Sequence, residues 1–166
     1  MILAVDPGTT ESALVAFDGA IRDMARLDNE AMLRRMRAGQ IASGVMPQIL
    51  AIEMVASYGM AVGREIFETV LWTGRFIEAW GGPFELVYRR DVKIYLCSSA
   101  RAKDGNIRQA LIDRFGGTRE AAIGVKKKKG PLYGVSGDLW AALAVAVTQH
   151  DRAERMRVAV EEAPGR

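Results

Sequence analysis

The period of the apolar positions changes along the chain, and each change marks an element. Met1 to Val5 is an unbroken apolar run ended by Asp6-Pro7-Gly8. It reads as a strand buried on both faces, followed by a turn. Ser12 to Phe17 forms a second strand, and Asp18-Gly19 a hairpin turn into a third near Ala20–Arg26. Asp28-Asn29-Glu30 caps a helix that runs to about Arg37 and ends near Gly39. Residues 49–53 are again continuously apolar up to Glu53, a second doubly buried strand.

From Met60 to Trp80 the period lengthens to that of a helix. Val62, Ile66, Phe67, Val70, Leu71, Gly74 and Ile77 share one face, and Gly81-Gly82-Pro83 stops the run. Phe84 to Tyr88 is another strand. Arg90 to Leu96 and Asp104 to Phe115 are shorter helices, the second closed by Gly116-Gly117. Residues 117–136 read as an irregular loop. Asp138 to about His150 is apolar nearly all round, which predicts a buried helix, and the charged last dozen residues are expected to fray. Hairpin-linked strands followed by alternating helices and strands make an α/β sandwich with a mixed sheet. Strand 49–53 is expected to pair beside strand 1–5, with helix 138–150 against that sheet edge.

At 166 residues, 49% of them apolar and 26% charged, the chain fits one globular domain. Its expected extent is 1–150, with 151–166 as a tail. The single cysteine, Cys97, has no partner for an intramolecular disulfide and fits a reducing cytosol. The single histidine, His150, argues against a serine or cysteine triad. The first apolar run is too short for a signal peptide, and Leu139 to Val147 is too short to span a bilayer. The expected location is the cytoplasm, with no membrane partner.

Three carboxylates stand where apolar segments meet polar ones. Asp6 and Glu53 end strands, and Asp138 starts a helix. Each has a plain structural alternative: Asp6 as a turn residue, Asp138 as a helix cap, Glu53 as a charge paired at a strand end. Brought together by a sheet, they form a hard oxygen donor set for divalent cations. Two such ions about 4 Å apart can clamp the attacking and leaving oxygens of a phosphodiester.

A net charge of +3 and clustered basic residues fit a polyanionic substrate. Arg89, Arg90 and Lys93 follow a strand end, and Arg101, Lys103 and Arg108 surround a helix start. These six residues are candidates to track a phosphate backbone. Lys126, Lys127, Lys128 and Lys129 form either a solvated loop or a phosphate-binding one. Tyr58 is either core packing or a wedge that stacks on an unpaired base. Gly63 and Gly74 permit close approach of another helix, within the fold or across a dimer.

The segment Ile2-Leu3-Ala4-Val5-Asp6-Pro7-Gly8 resembles the opening of RuvC-type Holliday junction resolvases. Ala51-Ile52-Glu53 is similar to their second acidic motif, and Tyr88 to Lys93 to the segment before their basic helices. Ser99 to Ile107 resembles their basic loop and helix entry, and Asp138 with Ala142 to Thr148 their final helix. The lysine-rich loop before Gly130-Pro131-Leu132-Tyr133-Gly134 is closest to phage-encoded relatives.

The resemblance implies a ribonuclease H-like fold, a central mixed five-stranded sheet flanked by helices. It further implies a homodimer that makes paired nicks in four-way DNA junctions, using Mg²⁺ or Mn²⁺ and no nucleotide cofactor. By position, Asp6, Glu53 and Asp138 would be catalytic metal ligands for two ions, with Asp6 bridging them. The long helix from Met60 would join the dimer interface. Two positions depart from the pattern. Ala141 stands where a fourth acidic residue is common, and Ala56 where the aromatic wedge usually lies. Ala141 leaves open a protein that binds junctions without cutting them. Asp6-Pro7-Gly8-Thr9-Thr10 also resembles the first phosphate turn of actin and sugar-kinase ATP-binding folds, which require a second phosphate loop and a second domain.

Overall fold

The apolar runs at residues 1–5 and 49–53 are neighbouring parallel strands at the centre of a five-stranded sheet. The computed structural model describes residues 1–39, 46–57 and 59–162. In chain order the strands of that sheet are β1 (Ile2–Asp6), β2 (Glu11–Phe17), β3 (Ile21–Asp28), β4 (Ile49–Met54) and β5 (Phe84–Tyr88). Their spatial order is β3-β2-β1-β4-β5. The hairpin-linked strands pair antiparallel, and β1, β4 and β5 pair parallel. The mixed sheet thus follows from the sequence: short turns permit antiparallel neighbours, and helical crossovers give parallel ones.

Helices cover both faces. On one side α1 (Asn29–Arg37) and α2 (Arg64–Trp80) pack over Leu3, Val5, Leu14, Leu50 and Ile52. On the other lie α3 (Arg89–Cys97), α4 (Asp104–Gly116), a single turn α5 (Arg119–Ala122) and α6 (Leu139–Glu161). The alternation of side chains along β1 and β4 divides the core between these layers. Ile2, Ala4 and Ala51 face α6.

The structure corrects the sequence reading at four places. Helix α6 lies across the sheet face, on β2, β1 and β4, rather than at an edge, because residues 142–148 are buried on every side. It also continues to Glu161, eleven residues past His150. Asp151 is tied to Tyr95 and Arg114, and Arg157 pairs with Glu154 and Glu161, which carries the helix onward. Pro164 and Gly165 lie outside the described residues.

Residues 117–136 hold α5 and a hairpin of β6 (Gly124–Val125) and β7 (Lys128–Lys129). Thr118 caps α5, and Gly124 takes a φ of +69°, which turns the chain into the hairpin. Finally, α2 begins at Arg64 rather than Met60, and it buries Thr73 and Phe76. Much of the apolar stripe read from the sequence is outward: Phe67 is 64% and Leu71 62% exposed.

Candidate active site

Asp6 and Glu53 meet because their strands are in register. Val5 pairs with Ile52, so the next residues of the two parallel strands stand side by side. Alternation puts both on the α6 face of the sheet. The turn after Asp6 is fixed by buried polar groups. The Gly8 amide donates to Ser12 Oγ (3.1 Å), Ser12 Oγ donates to Asn29 Oδ1 (2.6 Å), and Asn29 Nδ2 donates to the Gly8 carbonyl (3.0 Å). A Cβ on Gly8 would meet the Glu11 carbonyl oxygen at 2.3 Å, so only glycine fits there. The strand end that carries Asp6 is therefore rigid, as a ligand platform must be.

Asp138 precedes the first turn of α6 and makes no capping hydrogen bond. The capping alternative therefore does not account for this residue. Its carboxylate is 60% exposed and lies 3.9 Å from Arg26 Nη1. Arg26 in turn donates to Glu11 Oε2 (2.8 Å) across β2 and β3.

Glu53 is nearly buried, with 11% of its side chain exposed. Arg89, the first residue of α3, donates from Nη1 to its two oxygens at 3.2 and 3.4 Å. Arg89 Nη2 also donates to Asp104 Oδ1 at 2.6 Å.

The electrostatics single out Asp6. Burial, then the Glu53 charge, push its carboxyl up to about 8; Asp138 and Asp104 add to the rise, and Arg89 opposes it. Burial also raises the Glu53 carboxyl, while Arg89 and Lys93 pull it down. No hydrogen bond reaches the Asp6 carboxylate among the described residues. Asp6 thus feels three other carboxylates, with Arg89 the cation that opposes them.

As they stand, no three of these side chains close on one point among the described residues. Glu53 is turned to Arg89, and Asp138 faces Arg26. The donor set nevertheless suits a hard divalent cation: it is all carboxylate oxygen, held on rigid elements, and its negative charge is only partly met.

The basic candidates separate into two groups. Arg89, Arg90 and Lys93 line a shallow cavity of about 390 Å³ beside the carboxylates, with Ala100 as its fourth wall. Arg101 and Lys103 are exposed at the entry to α4, where the Lys103 amide donates to Asn106 Oδ1 (2.8 Å). Arg108 is half-buried, its guanidinium 4.8 Å over the Trp140 ring at the start of α6. Lys126 and Lys127 form the hairpin turn, and Lys128 and Lys129 its second strand. A cavity of about 820 Å³ between this hairpin and α5 is lined by Arg119, Lys128 and Lys129 among others. Lys129 Nζ lies 5.0 Å over the Tyr133 ring. The lysine run is therefore an ordered hairpin, not an irregular loop. Tyr58 lies outside the described residues.

Asp104, Arg26 and Glu11 were not legible as site residues. Asp104 reads as a plain helix start, and only the docking of α4 on α3 brings it to Arg89. Ala141, one turn into α6, adds no carboxylate.

No family model matches the chain, and no curated protein does. Among solved structures it is similar to Thermus thermophilus RuvC, with a TM-score of 0.61 and 18% identity over 93% of this chain and 95% of that one. It is equally similar to T. thermophilus RuvC in complex with Holliday junction substrate, with a TM-score of 0.61 and 17% identity over 93% and 94%. This likeness shows a RuvC-like, ribonuclease H-like fold, as the sequence resemblance implied.

Proposed function

We propose that this chain is a divalent-cation-dependent endonuclease that cuts four-way and other branched DNA junctions as a homodimer. The observation that carries the reading is the position of Asp6. It sits half-buried at the end of β1, without a donor among the described residues and under the charges of Glu53, Asp138 and Asp104. A cation is what this arrangement lacks. Asp6, Glu53 and Asp138 would hold Mg²⁺ or Mn²⁺, which when bound supplies Lewis acidity toward the scissile phosphate and toward water.

The chain's own residues do the rest. The clamped Gly8 turn keeps Asp6 in place. Arg90 and Lys93, in the cavity beside the carboxylates, orient the phosphate, with Arg101 and Lys103 extending the track along the backbone. The hairpin lysines 126–129 contact a further stretch of phosphates. Support for junction DNA as substrate comes from the similar T. thermophilus RuvC, whose structure is known in complex with Holliday junction substrate. The outward stripe of Phe67, Val70 and Leu71 on α2, beside Phe84 and Leu86 of the edge strand β5, fits a dimer face. Ala141 favours a second reading, a junction-binding protein that does not cut.

A labelled synthetic four-way junction, incubated with Mg²⁺ and then Mn²⁺ beside linear duplex, separates the two. The nuclease reading expects paired nicks in the junction alone. In Asp6→Asn they fall by more than the ~100-fold that loss of an outer-shell partner costs, with binding retained. Binding in both metals without nicks selects the second reading, and normal cutting by Asp6→Asn removes Asp6 from the site.

A further inference from the structure

Arg89 is the one cation in contact with the buried half of the carboxylate cluster, among the described residues, and its geometry is not that of a surface DNA contact. Nη1 spans both oxygens of Glu53 (3.2 and 3.4 Å), and Nη2 reaches Asp104 (2.6 Å). A single guanidinium therefore joins the end of β4 to the first turn of α4. Arg89 is 29% and Glu53 11% exposed, so the pair is largely withdrawn from water. A guanidinium keeps its proton at every working pH. The Glu53 side of the cluster thus carries a permanent positive charge, supplied by the chain.

The other side differs. Asp6 accepts no hydrogen bond among the described residues, and Asp138 has only a 3.9 Å approach from Arg26. A divalent ion on Asp6 and Asp138 meets two carboxyl groups that accept no hydrogen bond among the described residues, and Arg89 acts on Asp6 only through space. A second ion on Glu53 must either displace Arg89 or stand beside it, against charge repulsion at a few ångströms.

We propose that Arg89 is the built-in second cation of this site. The chain takes one divalent ion, on Asp6 and Asp138, while Arg89 stays on Glu53 and Asp104 in place of another. Its contacts with Glu53 and Asp104 use Nη1 and Nη2, and it also lines the cavity with Arg90 and Lys93, where a phosphate oxygen can accept from these cations. This inference rests on the divalent-cation reading of the site and narrows it: of the three carboxylates, Glu53 keeps Arg89 and not the ion.

The test is a Mn²⁺ titration of the DNA-free protein, with free Mn²⁺ followed by electron paramagnetic resonance and the heat by calorimetry. The expected result is one Mn²⁺ per wild-type chain and none in Asp6→Asn. Arg89→Gln, shown by circular dichroism to be folded, gains a second Mn²⁺, whereas Arg89→Lys, which keeps the charge, stays at one. Arg89→Met serves the same comparison if the glutamine variant does not fold. Two ions in the wild type, or one ion in Arg89→Gln, overturns the role of Arg89 and leaves the nuclease reading standing. No Mn²⁺ on the wild type overturns the premise, and the inference with it.

Discussion

Two aspartates on the same side of the sheet have opposite fates. Asp151, in the second half of α6, accepts from Tyr95 (2.5 Å) and from both terminal nitrogens of Arg114 (2.5 and 2.8 Å), with His150 at 3.4 Å. Burial pushes its carboxyl up, but these hydrogen bonds and the Arg114 charge outweigh it and bring it to about 2. Asp6 is more deeply buried and has no such donors among the described residues; burial, then the neighbouring carboxylates, raises its carboxyl to about 8. The first aspartate is a staple joining α3, α4 and α6. The second is a carboxyl that the fold holds in place with no hydrogen-bond donor among the described residues. Burial and surroundings act together here: the deeper carboxyl lies among like charges, and the shallower one among donors.

The contrast predicts opposite responses to pH. In the metal-free protein the folded state keeps a proton on Asp6 that the unfolded chain releases near pH 4. The folded state therefore binds more protons between about pH 4 and pH 8, and stability falls as pH rises through that window. Asp6→Asn removes the Asp6 part of the slope, while the raised Glu53 carboxyl keeps its own. Denaturant unfolding in EDTA should show the variant more stable than the wild type by on the order of a few kcal/mol at pH 8 and near equal at pH 4. A wild type with no such slope would mean that Asp6 is already matched by a partner.

For Asp151 the sign reverses. Its folded value lies below the unfolded one, so its contribution is present above about pH 4 and is lost as pH falls toward 2. Asp151→Asn should cost about 1–2 kcal/mol at pH 7, discounted for partial solvent screening. The same variant should be nearly neutral at pH 2. An equal loss at both pH values would assign the effect to packing and weaken the comparison.

Both regions were only partly visible in the sequence. Asp6, Glu53 and Asp138 stand out because each interrupts an apolar run, and a run is a local signal. The sheet order followed from turns and run lengths for the same reason. Asp104 and Arg26 reach the cluster through the docking of α4 and the pairing of β2 with β3, which no local pattern records. The Asp151 network joins residues 95, 114 and 151, and without it α6 reads as ending at its last apolar residue. The outward stripe of α2 shows the converse. Its period was plain, yet the face that packs on the sheet side is set by Thr73 and Phe76, because those positions meet β4 and α1.

The central claim is that the strand-end carboxylates await a divalent cation. Thermal unfolding at pH 8, with EDTA and then with Mn²⁺, tests it on the wild type and Asp6→Asn side by side. Bound at a hundredfold over its dissociation constant, one ion adds about 2.7 kcal/mol. The account predicts that Mn²⁺ raises the wild-type midpoint by several degrees and leaves Asp6→Asn unmoved. An equal shift in both proteins, or none in the wild type, would contradict it.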